Sequence, residues 1–228
     1  MKRIQLTAPF LAVALLAAPA ALPAANGNWA STFAATESGH RLGNPEAPTS
    51  LVTFVSYSCP HCASFEKQAD APLRTDYVRG GKVSVEVRHV IRNPIDLAAA
   101  LSTECGGEDG FFARHRAMMM AHDSWMKSAS SAAPAQQERW STGNLGERMQ
   151  AIAGDLGFPA LMQQQGIAPA ALDRCLADEE MAKHLAATSQ AQGQRYSIPG
   201  TPSFMVNGKL LDGVHTWPAL QNALDAQS

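Results

Sequence analysis

From Ser50 to Tyr57 the chain reads SLVTFVSY, a short apolar and β-branched run that predicts a buried strand. The pattern then switches to helical spacing from about Cys59, with Phe65, Ala69, Leu73 and Tyr77 on one face, and Gly80-Gly81 closes that helix. Between Lys82 and Ile91 the residues alternate, Val83, Val85 and Val87 against Ser84, Glu86 and Arg88, which predicts a strand with one wetter face. Asn93-Pro94 ends it. Helical periodicity or composition then fills Ile95–Cys105, Gly110–Met126, Ala135–Trp140, Leu145–Leu156, Pro159–Gln165 and Pro169–Tyr196. The stretch KSASSAAPAQQ, Lys127 to Gln137, is the most loop-like and is expected to be mobile. Strand character returns in Thr201–Gly208, where Asn207-Gly208 signals a hairpin. A closing helix over Trp217–Ala226 should have Thr216 as N-cap and Pro218 in its first turn. A βαβ half and a ββα half, interrupted by helices, predict an α/β protein with one mixed sheet flanked by helices. Residues 42–94 and 197–228 would form the sheet domain, with 95–196 as a large α-helical insertion. Residues 26–41, small and polar, are expected to be a flexible N-terminal segment.

The first residues follow another pattern. Lys2 and Arg3 precede an apolar, alanine-rich run from Ile4 to about Leu22, and small residues follow, so residues 1–25 predict a secretory signal peptide. Ala20, Ala24 and Ala25 all remain open as cleavage positions, and an uncleaved membrane anchor is the alternative. Removing Lys2 and Arg3 would make the remaining chain more acidic. The 228 residues, 46% hydrophobic, suffice for a sizeable core, and a net charge of −2 offers no basic field for nucleic acid.

Export changes the meaning of the four cysteines, because thiols pair in an oxidising compartment. Cys59 and Cys62 flank Pro60 and His61 where the first strand passes into the first helix. Unpaired N–H groups and the helix dipole at that terminus favour an anion, so Cys59 is the better thiolate, with a depressed pKa. Cys62, one turn inside, is more buried and suits a resolving role. Pro60 is tolerated in a first turn, and His61 can stabilise the Cys59 sulfur further. A stabilised thiolate makes the disulfide easier to reduce, which predicts an oxidant of other thiols. Half of a zinc site and a structural disulfide are the alternatives, although Cys105 and Cys175 lie too far off to complete a close metal set.

The strand–Cys59-Pro60-His61-Cys62–helix unit, the helical insertion, and Gly200-Thr201-Pro202 before a late strand resemble the DsbA-type thiol:disulfide oxidoreductases of the thioredoxin superfamily. The resemblance runs from about Asn44 to the C-terminus. It implies a thioredoxin fold, a redox-active Cys59–Cys62 pair, and a cis Pro202 lying against the dithiol. Thr201 would present backbone groups to a substrate segment pairing as an added strand. It also implies cysteine-containing unfolded proteins as substrates and a membrane partner that reoxidises the dithiol, with neither organic cofactor nor metal. Related proteins often carry an acid six positions before the first cysteine; here that position is Thr53. Glu66, one turn past Cys62, is a substitute proton relay or else a solvated carboxylate. Threonine before the cis proline is common among isomerases and reductases, whereas strongly oxidising relatives often have valine. Oxidase is thus the first expectation, with a reduced isomerase or reductase as the alternative. The short segment before the first strand leaves little room for a dimerisation domain, so a monomer is expected in the periplasm or its equivalent.

Cys105 and Cys175 are expected to form a structural disulfide, with free thiols or a relay to the active site as alternatives. Met118-Met119-Met120 beside His115 and His122 suggests copper, but consecutive helical side chains diverge, so core or surface methionines are expected. His89 and His184 have no motif around them.

Overall fold

A computed structural model describes residues 27–227. The expected signal peptide and its alternative, a membrane anchor, lie outside the described residues. A six-stranded mixed sheet has the order β1-β2-β4-β3-β5-β6. The first strands are β1 (Phe33–Ala35), β2 (His40–Leu42) and β3 (Thr49–Val55). Helix α1 (Pro60–Pro72), continued by a π-helical turn at Leu73–Val78, leads to β4 (Val83–His89), which runs parallel to β3. Antiparallel β5 (Ser203–Val206) and β6 (Lys209–Leu210) extend the other side of β3, and α10 (Trp217–Asp225) closes the chain. Asn207 and Gly208 both have positive φ, 48° and 79°, as a two-residue hairpin turn demands.

The helices between β4 and β5 are α2 (Pro94–Glu104), α3 (Phe111–Met120), α4 (His122–Ser130), α5 (Pro134–Ser141), α6 (Leu145–Asp155), α7 (Phe158–Gln164), α8 (Pro169–Leu176) and α9 (Glu179–Tyr196). Together with the flanking helices they cover a mixed sheet, the thioredoxin-like arrangement expected from the sequence.

Alternation along β3 divides the core. Leu51 packs with Phe65, Ala69, Val85, Phe204, Leu220 and Leu224 beneath α1 and α10, while Val52 and Phe54 pack with Met205 on the other face. A larger apolar cluster runs from Val55, Tyr57, Cys59 and Cys62 into Ala98–Leu101, Phe111, Met118, Met119, Trp125 and Ile152. The dithiol therefore lies where the sheet domain and the helical insertion share a core. Fully buried Met118 and Met119 belong to that core rather than to a copper site.

Two expectations are corrected. Residues 26–41 are not wholly a flexible lead-in: β1 and β2 form a hairpin, and β2 pairs antiparallel with β4 through His40↔Val87 and Leu42↔Val85. Strands of three residues are too short to show a period, and their order comes from tertiary bonds. The Thr36 hydroxyl donates to Glu86 at 2.7 Å, and His40 reaches Glu104 at 2.8 Å. The Lys127–Gln137 stretch is mostly helical, belonging to α4 and α5 with a break at Ser131–Ala133. Pro134 occupies the first turn of α5, where its missing N–H costs nothing.

Candidate active site

Cys59 is the N-cap residue of α1, in extended conformation, and Pro60 follows in the first turn. The N–H groups of Cys62 and Ala63 both point back to the Cys59 carbonyl, at 3.1 and 3.2 Å. Both active-site cysteines are free thiols here, Cys59 3% and Cys62 1% exposed, while His61 and Pro60 are exposed. The pairing Phe54↔Ser203 brings the residues before β5 level with the end of β3. That register carries Thr201 to Cys59, whose Sγ lies 3.1 Å from the Thr201 carbonyl oxygen. The Thr201–Pro202 peptide bond is cis.

The two sulfurs differ electrostatically. The hydrogen bond from Cys62 is the main influence lowering the Cys59 pKa to about 5. Burial opposes it, and Thr201 and the backbone N–H groups of Cys62 and His61 add to the lowering. Burial drives the Cys62 pKa far upward, and proximity to Cys59 reinforces the effect.

The loop that presents Cys59 is held by a residue the sequence reading passed over. Asp96, fully buried at the start of α2, accepts from Ser56 Oγ at 2.8 Å, from Ser58 N–H at 2.7 Å and from Arg92 N–H at 3.0 Å. Arg92 and Asn93 donate to the Ser58 hydroxyl from the other side. The signal was available: Asn93 caps α2 by accepting from Asp96 N–H, an Asn-x-x-acid pattern at a helix start.

Glu66 is not a freely solvated carboxylate. Its side chain is 15% exposed, with Oε2 3.7 Å from His115 Nε2. Thr53, Asp70 and His115 line the same small cavity, about 40 Å³. Behind His115 the hydrogen-bond directions follow from donor counting. Thr103 Oγ1 donates to Ala100 O, so it accepts from the Tyr57 hydroxyl at 3.0 Å; Tyr57 in turn accepts from His115 Nδ1–H at 2.9 Å. Buried Nε2 of His115 is thereby left toward Glu66, without a hydrogen bond. Burial holds Tyr57 well above the ordinary phenol pKa, keeping it a donor.

Cys105 and Cys175 are disulfide-bonded, linking the end of α2 to α8. They are separate from the dithiol. Among the described residues, no three His, Cys, Asp or Glu side chains are grouped to hold a metal ion. Beside the dithiol, an open groove of about 440 Å³ is lined by His61, Pro199, Gly200, Thr201, His215 and Thr216. His215, absent from the sequence-based site, bonds the Pro202 carbonyl oxygen through Nδ1 at 2.8 Å.

A sheet flanked by helices, with a dithiol at a helix N-terminus facing a cis proline, defines a thioredoxin-type redox protein. Residues 35–226 match the family model described as Thioredoxin; the chain belongs to that family, and its fold is of the DsbA type. It is 41% identical to a protein-disulfide isomerase from Novosphingobium aromaticivorans, covering 83% of this chain and 97% of that one, with a TM-score of 0.79. Wolbachia pipientis alpha-DsbA1 shares the fold at 20% identity and a TM-score of 0.62, over 82% of this chain and 89% of its own. A Rickettsia bellii protein provisionally named a protein-disulfide oxidoreductase is 29% identical over 78% of this chain. This chain spans only 60% of that relative's length and 62% of its Rickettsia conorii counterpart's.

Proposed function

We propose that the protein is an exported thiol:disulfide oxidoreductase that introduces disulfides into folding secreted proteins. The observation that carries this is the asymmetry of the dithiol: Cys59 is a thiolate at neutral pH, while Cys62 holds its proton. Stabilising the reduced form in this way raises the oxidising power of the Cys59–Cys62 disulfide. A substrate thiolate attacks Cys59 Sγ; the Cys59–Cys62 bond breaks, and its electron pair goes to Cys62, which takes up a proton. A second substrate thiolate then attacks the substrate sulfur of the mixed disulfide. Cys59 departs as a thiolate, a good leaving group because its pKa is low. His61 and the helix terminus stabilise that thiolate, Pro60 fits the first turn, and Thr201 and Pro202 border the incoming chain. Glu66, backed by His115, relays the Cys62 proton in place of the acid missing at Thr53.

A membrane partner reoxidises the dithiol, and the protein works as a periplasmic monomer, its N-terminal hairpin taken up by its own sheet. Fractionation and the mass of the exported form test the location; light scattering tests the oligomeric state.

An isomerase or reductase role is the second reading, favoured by Thr201 and by the name of the Novosphingobium relative. The distinguishing experiment supplies reduced, unfolded substrate to the oxidised protein, with Cys59→Ser and Cys62→Ser alongside. An oxidase forms substrate disulfides stoichiometrically; Cys59→Ser and Cys62→Ser, neither of which can hold the oxidising disulfide, both abolish this. Failure to oxidise, combined with reshuffling of scrambled disulfides by the reduced protein, would establish the isomerase role instead.

A further inference from the structure

We propose that His215 is a general base that takes the proton from the incoming substrate thiol in the groove beside Cys59, an assignment that rests on the oxidase role above. The argument begins with the tautomer. His215 Nδ1 lies 2.8 Å from the Pro202 carbonyl oxygen, which can only accept, so Nδ1 carries the hydrogen. In the neutral ring the basic lone pair is then on Nε2, which has no protein partner among the described residues. One fixed hydrogen bond thus orients the ring and selects the nitrogen able to accept a proton, as a base in nucleophilic catalysis requires.

Position supplies the second support. The exposed His215 ring lines the same groove as His61 and Thr201, and its anchor is the carbonyl of the cis proline whose neighbour Thr201 has its own carbonyl 3.1 Å from the Cys59 sulfur. A substrate cysteine that reaches Cys59 through this groove passes along the wall that the ring forms. The other titratable group lining the groove is His61, from the start of α1, and Asp212 lies three residues before His215 in its own loop. No side-chain hydrogen bond holds the His61 ring among the described residues, so its tautomer is not selected.

The chemistry needs such a group. An ordinary cysteine has a pKa near ~8.5 and is mostly protonated at neutral pH, while the thiolate is the nucleophile. His215 Nε2 accepts the S–H proton, and the substrate sulfur bonds to Cys59 Sγ. The Cys59–Cys62 bond breaks toward Cys62, which is protonated; His215 returns its proton to water. The oxidant is the enzyme's own disulfide.

The test compares wild type with His215→Asn, whose side-chain amide can still donate to Pro202 O but cannot act as a base. Oxidation rates are measured from pH 6 to 10 with two substrates, a peptide thiol of ordinary pKa and an aryl thiol already ionised at pH 6. For the peptide, His215→Asn should lose about tenfold at pH 7, with the gap closing above about pH 9, where the thiol ionises unaided. The aryl thiol should react equally with both proteins. Because the decisive quantity is the ratio of two rates within one protein, partial unfolding cannot imitate it. His215→Phe should show the same pH-dependent ratio even if losing the Pro202 hydrogen bond lowers both rates. An unchanged ratio in His215→Asn, or a loss uniform across pH, would overturn the assignment. If wild type oxidised neither thiol, the proposed oxidase function would fail instead.

Discussion

At Cys59 a single sulfur gathers the influences that decide its chemistry: the Cys62 hydrogen bond foremost, then Thr201 and two backbone N–H groups, against burial. Thiolate absorbance of the reduced protein should titrate with a midpoint near pH 5. Thr201→Val removes a buried hydroxyl that has no partner beside the neutral thiol but can donate to the thiolate, and should raise that midpoint; an unchanged midpoint would exclude the hydroxyl. The sign of the linked stability follows. A folded pKa below the unfolded value stabilises the reduced form fully above about pH 8.5, and the stabilisation fades as pH falls through about 5. The melting-temperature advantage of reduced over oxidised protein should therefore shrink between pH 8 and pH 5. The roles of Cys59 and Cys62 were legible in the sequence because a strand-to-helix junction is a local feature. His115 and His215 were not, since their partners lie 58 and 13 residues away and contact depends on the fold; of Asp96 only its place in the α2 cap was readable, not its reach to Ser58, 38 residues away.

At the scale of elements, Glu104 ties three of them together. From the end of α2 it accepts from His40 of β2 at 2.8 Å and from His89 of β4 at 2.9 Å. Burial alone would raise its pKa, but the two histidine hydrogen bonds outweigh burial and hold it at about 2. A depressed carboxylate stabilises the fold above its unfolded pKa, ~4.3, and that contribution disappears as pH falls through about 2. It amounts to about 3 kcal/mol. Glu104→Gln should be destabilised by that order at pH 6, and its stability should fall less steeply between pH 4.5 and 2, as followed by urea unfolding. This cluster explains why the N-terminal hairpin was not legible: its order derives from Glu104, 64 residues beyond His40. By contrast, β3, β4 and the β5–β6 hairpin were readable from β-branched runs and Asn207-Gly208. The Cys105–Cys175 bridge joins α2 to α8 across 70 residues. Replacing both cysteines by alanine should cost about 3–5 kcal/mol in chemical denaturation, with the active-site dithiol still reactive.

Over the whole molecule, the insertion does more than cover the sheet. Its apolar residues continue directly into the cluster that holds Cys59 and Cys62, and its first helix supplies the Asp96 clamp on the active-site loop. The order of elements made the insertion evident in the sequence, but not this shared core. The central claim is that this scaffold stabilises the reduced dithiol and so makes the protein an oxidase. Equilibration of the Cys59–Cys62 couple with glutathione buffers, with Cys59→Ser as control, tests it most directly. A potential more positive than about −180 mV is predicted; a value near thioredoxin's, about −270 mV, would contradict it.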